Sequence, residues 1–244
     1  GSPDTGMLSS HRIISTASHL GDGVYGKATG KKIKFRTIAD CHAINNQIND
    51  EWLIRDQGGI VRQLGMEVED CARKQIDAEG GPENCKWPFS KSMNQVGPYQ
   101  GTGNSNEWGE KYVDILKQIM NSDEKVIKNQ YDRGCHLEYP GGVTGHSYSD
   151  ATEFWTNLRS ALPSAKFTIE HQIGREDKNM SPRAAVRWTL EGKHDGWGVF
   201  GAPSGAELYV MGVSHAEFGP WGLRREYTIF DEVALWKQII LKTG

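Results

Sequence analysis

The chain lacks any long apolar run. None approaches the ~18 consecutive apolar residues of a membrane-spanning helix, so no membrane partner is expected. It also lacks a large charge of either sign: 28 Lys and Arg against 31 Asp and Glu leave a formal net charge of −3. A protein that coats nucleic acid is usually clearly basic, so no nucleic-acid partner is expected either. Cysteine is sparse. The four residues Cys41, Cys71, Cys85 and Cys135 contain no C-x-x-C, and no His pair has zinc-finger or H-E-x-x-H spacing. This excludes a disulfide scaffold, predicts no bound metal, and suits reduced thiols in a cytoplasmic protein. Residues 1–6 have neither a basic start nor an apolar core, so they do not read as a secretory signal.

Glycine, by contrast, is abundant, at 29 of 244 residues where an average protein carries about 7%. Two clusters, Gly21-Asp22-Gly23-Val24-Tyr25-Gly26 and Gly196-Trp197-Gly198-Val199-Phe200-Gly201, match G-x-G-x-x-G. A dinucleotide fingerprint needs a helix directly after it. Here another glycine turn and a strand pattern follow, so nucleotide binding is rejected and no cofactor is expected.

The two clusters belong to an internal repeat. A shift of 175 residues aligns Arg12–Leu64 with Arg187–Ile239 without a gap. Eleven pairs are identical, among them Arg12/Arg187, His19/His194, Glu51/Glu226, Asp56/Asp231 and Gln63/Gln238. The spacing is too long for a solenoid and reads as a tandem duplication. The second copy has over a hundred residues of module upstream of it and the first has eleven, so the first copy is expected to lack the module's front. The chain divides on this reading into a partial module at 1–65, a helix and linker arm at 66–105, and a complete module at 106–244.

Periodicity supplies the elements. Leu8–Ser18, Lys31–Ile44 and Ile48–Arg55 read as strands, with a turn at Asn45-Asn46. Asp56 and Asp231 are N-cap residues for helices over 58–64 and 232–241. Further helices are expected over 68–78, 108–120, 123–131 and 149–162, with 136–145 a loop and strands over 166–173, 183–192, 206–218 and 223–229. The aromatics Trp87, Phe89 and Tyr99 mark residues 83–106 as an arm that packs on something. Helices first and an antiparallel meander after define the α+β class, with a curved sheet wrapped around helices.

Three stretches of the second copy, Arg187–His194, Gly201-Ala202-Pro203-Ser204-Gly205 and Arg225–Asp231, carry a resemblance, as do Ala28–Lys31, Asp50–Asp56 and Arg62–Gly65 in the first. With Tyr131-Asp132 and Tyr139-Pro140-Gly141-Gly142 they resemble the SnoaL-like polyketide cyclase family of the nuclear transport factor 2-like superfamily, over residues 8–65 and about 106–241. The resemblance implies a cone-shaped α+β barrel around one apolar pocket. It implies pairing sheet to sheet, as a homodimer or as a pseudo-dimer within one chain. It also implies acid/base chemistry without metal or cofactor on a small apolar organic ligand. Relatives include isomerases, dehydratases and plain binding domains, so the fold leaves the reaction open. Two functions follow: a cofactor-independent cyclase, isomerase or dehydratase acting on an apolar carbonyl compound, or a non-catalytic ligand-binding or dimerisation module.

His215 and Glu217 share one face of a strand and form a candidate catalytic pair. The repeat sets Asp40 and His42 against them. The resemblance places the family's carboxylate nearest Ser214 and Ala39, one residue away. A one-residue slip exchanges faces, so His215 and Ser214 cannot both line the pocket. His19 and His194 stand before the glycine loops, as gates or as turn residues bonded to backbone. Tyr131, Trp188 and Tyr227 are candidate substrate contacts or core aromatics.

Overall fold

The structure is a computed structural model that describes residues 6–123 and 125–244. It contains two sheets. The first is an antiparallel three-stranded meander of β1 (Met7–Ser18), β2 (Lys32–Ile44) and β3 (Gln47–Arg55). Asn45 and Asn46 turn the β2–β3 hairpin with φ of 51° and 61°, the pair of left-handed residues a two-residue hairpin loop needs. Helices α1 (Gln57–Leu64) and α2 (Val68–Ala78) follow.

The second sheet has six strands in the order β5-β4-β9-β8-β7-β6. They are β4 (Tyr131–Tyr139), β5 (Val143–His146), β6 (Lys166–Arg175), β7 (Arg183–Lys193), β8 (Glu207–Gly219) and β9 (Gly222–Ile229). All neighbours are antiparallel except β4 and β9, which run parallel. The sheet curves and does not close. Helices α3 (Glu107–Met120), α4 (Lys125–Gln130) and α5 (Tyr148–Ala161) are buried against one face of it, and α6 (Glu232–Thr243) ends the chain. Asn106 caps α3 through its side chain onto Trp108 N, and the helix buries Tyr112, Ile115, Leu116 and Ile119 in the main core.

The helix expected over 123–131 is shorter, and the loop expected over 136–145 is the β4–β5 hairpin. The alternation was present: Tyr131, Cys135, Leu137 and Tyr139 all point into the core. Gly134 and the Pro140-Gly141-Gly142 turn masked it. The segment pairs on one side with β5 and on the other with β9, a parallel partner distant in sequence.

The 175-residue offset recurs in the backbone. β2 and β8 match end for end, and both hairpins have a register shift at corresponding places, His42/Ala43 and Glu217/Phe218. Isolated bridges join Gly23 to Gly26 and Gly198 to Gly201. Asp56 and Asp231 cap α1 and α6 in the same way. Gln63 bonds both backbone groups of Lys34, and Gln238 both of Tyr209.

The two sheets pack face to face. Ile38 and Ile54 meet Val213 and Ile229, which are their own counterparts at the offset. The flanking contacts exchange in the same way. Arg12 lies 3.4 Å from the centre of the Tyr227 ring, and Arg187 lies 3.8 Å from that of Trp52. The two contacts are related by the same 175-residue offset. The arm bridges both halves: Asn94 accepts from Trp52 Nε1 and donates to Tyr209 Oη, and Tyr99 stacks on His42 while bonding His171.

Candidate functional site

Strand alternation divides the candidate residues between two places. Ser214, Ala216, Glu226 and Thr228 face inward, toward the helices. His215, Glu217, Arg225 and Tyr227 face outward, toward the first sheet. Trp188 lies on the inward face across Gly212, where a methyl group would collide with its indole. Its Nε1 donates to Ser214 Oγ at 3.0 Å.

The inward face holds a fully buried carboxylate that the sequence reading did not select as a site. Glu226 Oε1 accepts from Tyr112 Oη at 2.7 Å and Tyr131 Oη at 2.8 Å. Oε2 accepts from Tyr139 Oη at 2.6 Å and Trp155 Nε1 at 3.2 Å. Burial pushes the carboxyl pKa up, and the four donors pull it back only in part. The same burial and the Glu226 charge push the three phenols well above their ordinary value. Tyr131 is therefore a hydrogen-bond donor held in its neutral form. Of five clefts of about 220 to 690 Å³ formed by the described residues, the smallest is lined by Trp155, Ile119 and Ile127 of the inward core, and none is lined by Glu226, Tyr112, Tyr131 or Tyr139. Trp188 is fully buried in that core. The signal that could have found Glu226 is its place opposite Ala216, two residues from Ser214 on the inward face.

The outward face opens into a cleft of about 370 Å³ between the two sheets. Its walls include Ser10 and Arg12 from β1, Arg183 from β7, His215 and Glu217 from β8, and Tyr227 from β9. His215 Nε2 and Ser10 Oγ share a hydrogen bond of 2.7 Å. Packing, reinforced by the Arg12 charge, depresses the imidazole pKa to about 4. The ring is thus uncharged at neutral pH and can accept a proton. Glu217 is held by Arg225 at 3.3 Å, and Arg183 by Asp177 at 2.6 Å. His215 and Glu217, two apart on one strand, lie here together with Tyr227, which pairs opposite His215. Ser10 and Arg12 complete the place and were not selected for it, because only the packing of one sheet on the other brings them across.

The remaining candidates are held in other ways. Asp40 is buried, with Oδ2 3.1 Å from both His171 Nδ1 and Arg187 Nε. Burial works to raise its carboxyl pKa, and the hydrogen bonds from His171 and Arg187 with the Arg187 charge outweigh it and hold the carboxyl below the usual range. His42 bonds Asn49 at 2.7 Å beneath the Tyr99 ring. His19 bonds Thr29 Oγ1 at 3.1 Å and His194 bonds Ser204 Oγ at 2.9 Å, at corresponding places in the glycine loops. Desolvation lowers the His194 pKa, and its Nε2 has no hydrogen-bond partner among the described residues. Neither loop histidine lines any of the five clefts. Among the described residues no helix is long and apolar enough to cross a membrane, and no three His, Cys, Asp or Glu side chains converge as a metal-binding set.

Fold and site together define a mixed α+β protein with a curved, unclosed sheet, a buried aromatic cluster around Glu226 and an open polar cleft behind the sheet. No protein family is matched by the sequence, and no curated protein is. Among solved structures, the chain is similar to one assigned as a SnoaL-like polyketide cyclase from Jannaschia sp. CCS1, with a TM-score of 0.46 and 15% identity, over 56% of this chain and 96% of that one. It is similar to a SnoaL-like polyketide cyclase from Agrobacterium tumefaciens, with a TM-score of 0.42 and 16% identity, over 55% of this chain and 99% of that one. It is also similar to AclR from Streptomyces galilaeus, with a TM-score of 0.46 and 15% identity, over 55% and 95%.

Proposed function

We propose that this chain is a small-molecule-binding protein built from one complete and one partial copy of a SnoaL-like module. In this reading its chemistry is cofactor-independent acid/base catalysis in the cleft between the two copies. The observation that carries the chemistry is the uncharged His215 imidazole, bonded to the Ser10 hydroxyl and facing Arg12, Arg183 and Glu217 across an open space. That volume suits a small organic molecule. The guanidinium groups suit a carbonyl compound that also bears a carboxylate. His215 takes a proton from the carbon next to the carbonyl, and Arg12 or Arg183 faces the negative charge that develops on oxygen.

The test is proton exchange of 4-phenyl-2-oxobutanoate in D2O, followed by NMR at its C3 position. The expected result is protein-dependent exchange that His215→Asn slows by about 100-fold or more. The rate is expected to stay level through neutral pH and to fall on acidification through a pKa of about 4, as the base becomes protonated. Exchange no faster than in buffer, with the probe bound in the cleft, would replace catalysis by the second reading, a non-catalytic binding and assembly unit. The exchanged contacts of Arg12 with Tyr227 and Arg187 with Trp52 favour that second reading. No binding at all would overturn the assignment of the cleft.

A further inference from the structure

The glycine loop of the second half is shaped by a helix that lies against it. Gly196 N donates to Ala161 O at 3.2 Å and Val199 N to Asn157 O at 3.1 Å, both at the C-terminal end of α5. Glycine is required there: a methyl group on Gly196 would collide with Ser160 O, and one on Gly198 with Asn157 O. The counterparts at the 175-residue offset are Gly21, Val24 and Gly23. Around Gly21 and Gly23 a methyl group would meet nothing within 4 Å. Leu20 and Val24 beside them are 75% and 64% exposed. The first loop thus has the same bridge and the same glycines as the second, in front of open space.

Two further observations lie on the same side of the molecule. The inward residues of the second sheet, Val186, Trp188, Glu226 and Thr228, are fully buried. Their counterparts His11, Ile13, Glu51 and Leu53 are all exposed. The outer edge of β9 pairs with β4, whereas β3 ends its sheet. His11, Ile13, Glu51, Leu53 and the loop residues Leu20 and Val24 are therefore exposed where the second half is covered by α3, α5 and β4, and Glu51 and Leu53 also border a cleft of about 350 Å³ shared with Phe89, Tyr209 and Phe230.

We infer that the outer face of the first sheet is a docking surface for a helical segment of another polypeptide, seated on the Gly21–Gly26 loop as α5 is seated on the Gly196–Gly201 loop. The contacts of α5 state the partner's chemistry. Its last turn presents backbone carbonyls to Gly21 N and Val24 N and carries small residues there, as Ser160 and Ala161 do. Its apolar stripe covers Ile13 and Leu53. A phenol or indole reaches Glu51, as Tyr112, Tyr131, Tyr139 and Trp155 reach Glu226.

The experiment uses the full chain, labelled for amide NMR, and a peptide of residues 146–165 held helical by an i, i+4 lactam, since a free helix of this length is marginal in water. The expected result is saturable shifts at Gly21, Val24 and β3, with hydrogen exchange at the two loop amides slowed at least tenfold. The double variant Gly21→Ala, Gly23→Ala is expected to melt within a degree or two of the parent, because both methyl groups enter open space. It is also expected to lose the response, because the same groups block the helix. Absence of shifts at millimolar peptide would overturn the inference, as would an equal response in the double variant. Concentration-dependent protection of the two amides without peptide would also overturn it, by naming a second copy of this chain as the occupant.

Discussion

The carboxylate of Glu226 makes a sharp claim about the interior of the second half. In Glu226→Leu the charge disappears and four donors lose their acceptor: the hydroxyls of Tyr112, Tyr131 and Tyr139 and the indole of Trp155. The Tyr112 hydroxyl has Ser214 and Thr228 within reach and can turn to them. The Trp155 indole likewise has the Tyr131 hydroxyl within reach. That leaves the Tyr131 and Tyr139 hydroxyls to lose their acceptor; a buried donor left unmade costs about 1–3 kcal/mol, so two give a loss on the order of 2–6 kcal/mol. Glu226→Gln keeps the shape. Its amide oxygen accepts from Tyr139 and Trp155, and its amide nitrogen donates to Tyr112 and Tyr131, whose hydroxyls turn to accept. The Tyr131 proton then loses its acceptor while a buried charge is removed, so that variant is expected to lose about 1–2 kcal/mol at neutral pH, less than the Leu variant. Urea unfolding followed by far-UV circular dichroism measures both. The pH dependence adds a second reading. Because burial raises the Glu226 pKa in the fold, the folded state holds a proton that the unfolded chain releases from about pH 4.5 upward. Stability in the parent therefore declines as pH rises through that window, and Glu226→Gln flattens this part of the slope. A Leu variant as stable as the parent would refute the account of the network, and so would a Gln variant as damaged as the Leu one.

The exchanged cation–ring contacts predict unequal costs at equivalent positions. Arg187→Ala strips the buried Asp40 carboxylate of one of its two partners and is expected to cost about 3–5 kcal/mol, whereas Arg12→Ala at the exposed counterpart is expected to cost about 1 kcal/mol; thermal unfolding of both variants side by side decides it. The two capping aspartates differ in sign. Desolvation raises Asp231 to about 6, so its ionisation weakens the fold as pH rises from about 4 to 6, and Asp231→Asn keeps the cap while gaining about 1–3 kcal/mol at pH 8. Asp56 accepts from the backbone of Gly59, Gly141 and Gly142, so Asp56→Asn sets an amide against one of those N–H groups and is expected to lose about 1–3 kcal/mol; equilibrium unfolding of each variant at pH 8 checks both directions.

Strands β1, β2, β3 and β6 to β9 were legible because each carries its own alternation, and the caps at Asp56 and Asp231 because capping is local chemistry. β4 and β5 were not legible, because glycines interrupt their alternation and the longer partner of β4 is a parallel neighbour more than eighty residues away. His215 and Glu217 could be assigned to one face from their spacing, but the face itself could not be named, and Tyr227 joins them only through the β8–β9 register. Ser10 and Glu226 show the two sides of that gap: one reaches His215 only when the sheets meet, and the other is a carboxylate whose exposure differs entirely from that of its counterpart Glu51.

What the sequence determined by itself is whatever depends on neighbours along the chain. That includes the element order, the 175-residue correspondence, the caps, the glycine turns, and the residues that share a strand face. Tertiary structure alone decided which face is interior. A strand's two faces differ only by what packs on them, and the helices that cover Glu226 come from more than seventy residues upstream. The same packing makes one half a filled core and leaves the equivalent surface of the other exposed, because equal local patterns are stabilised by unequal long-range partners.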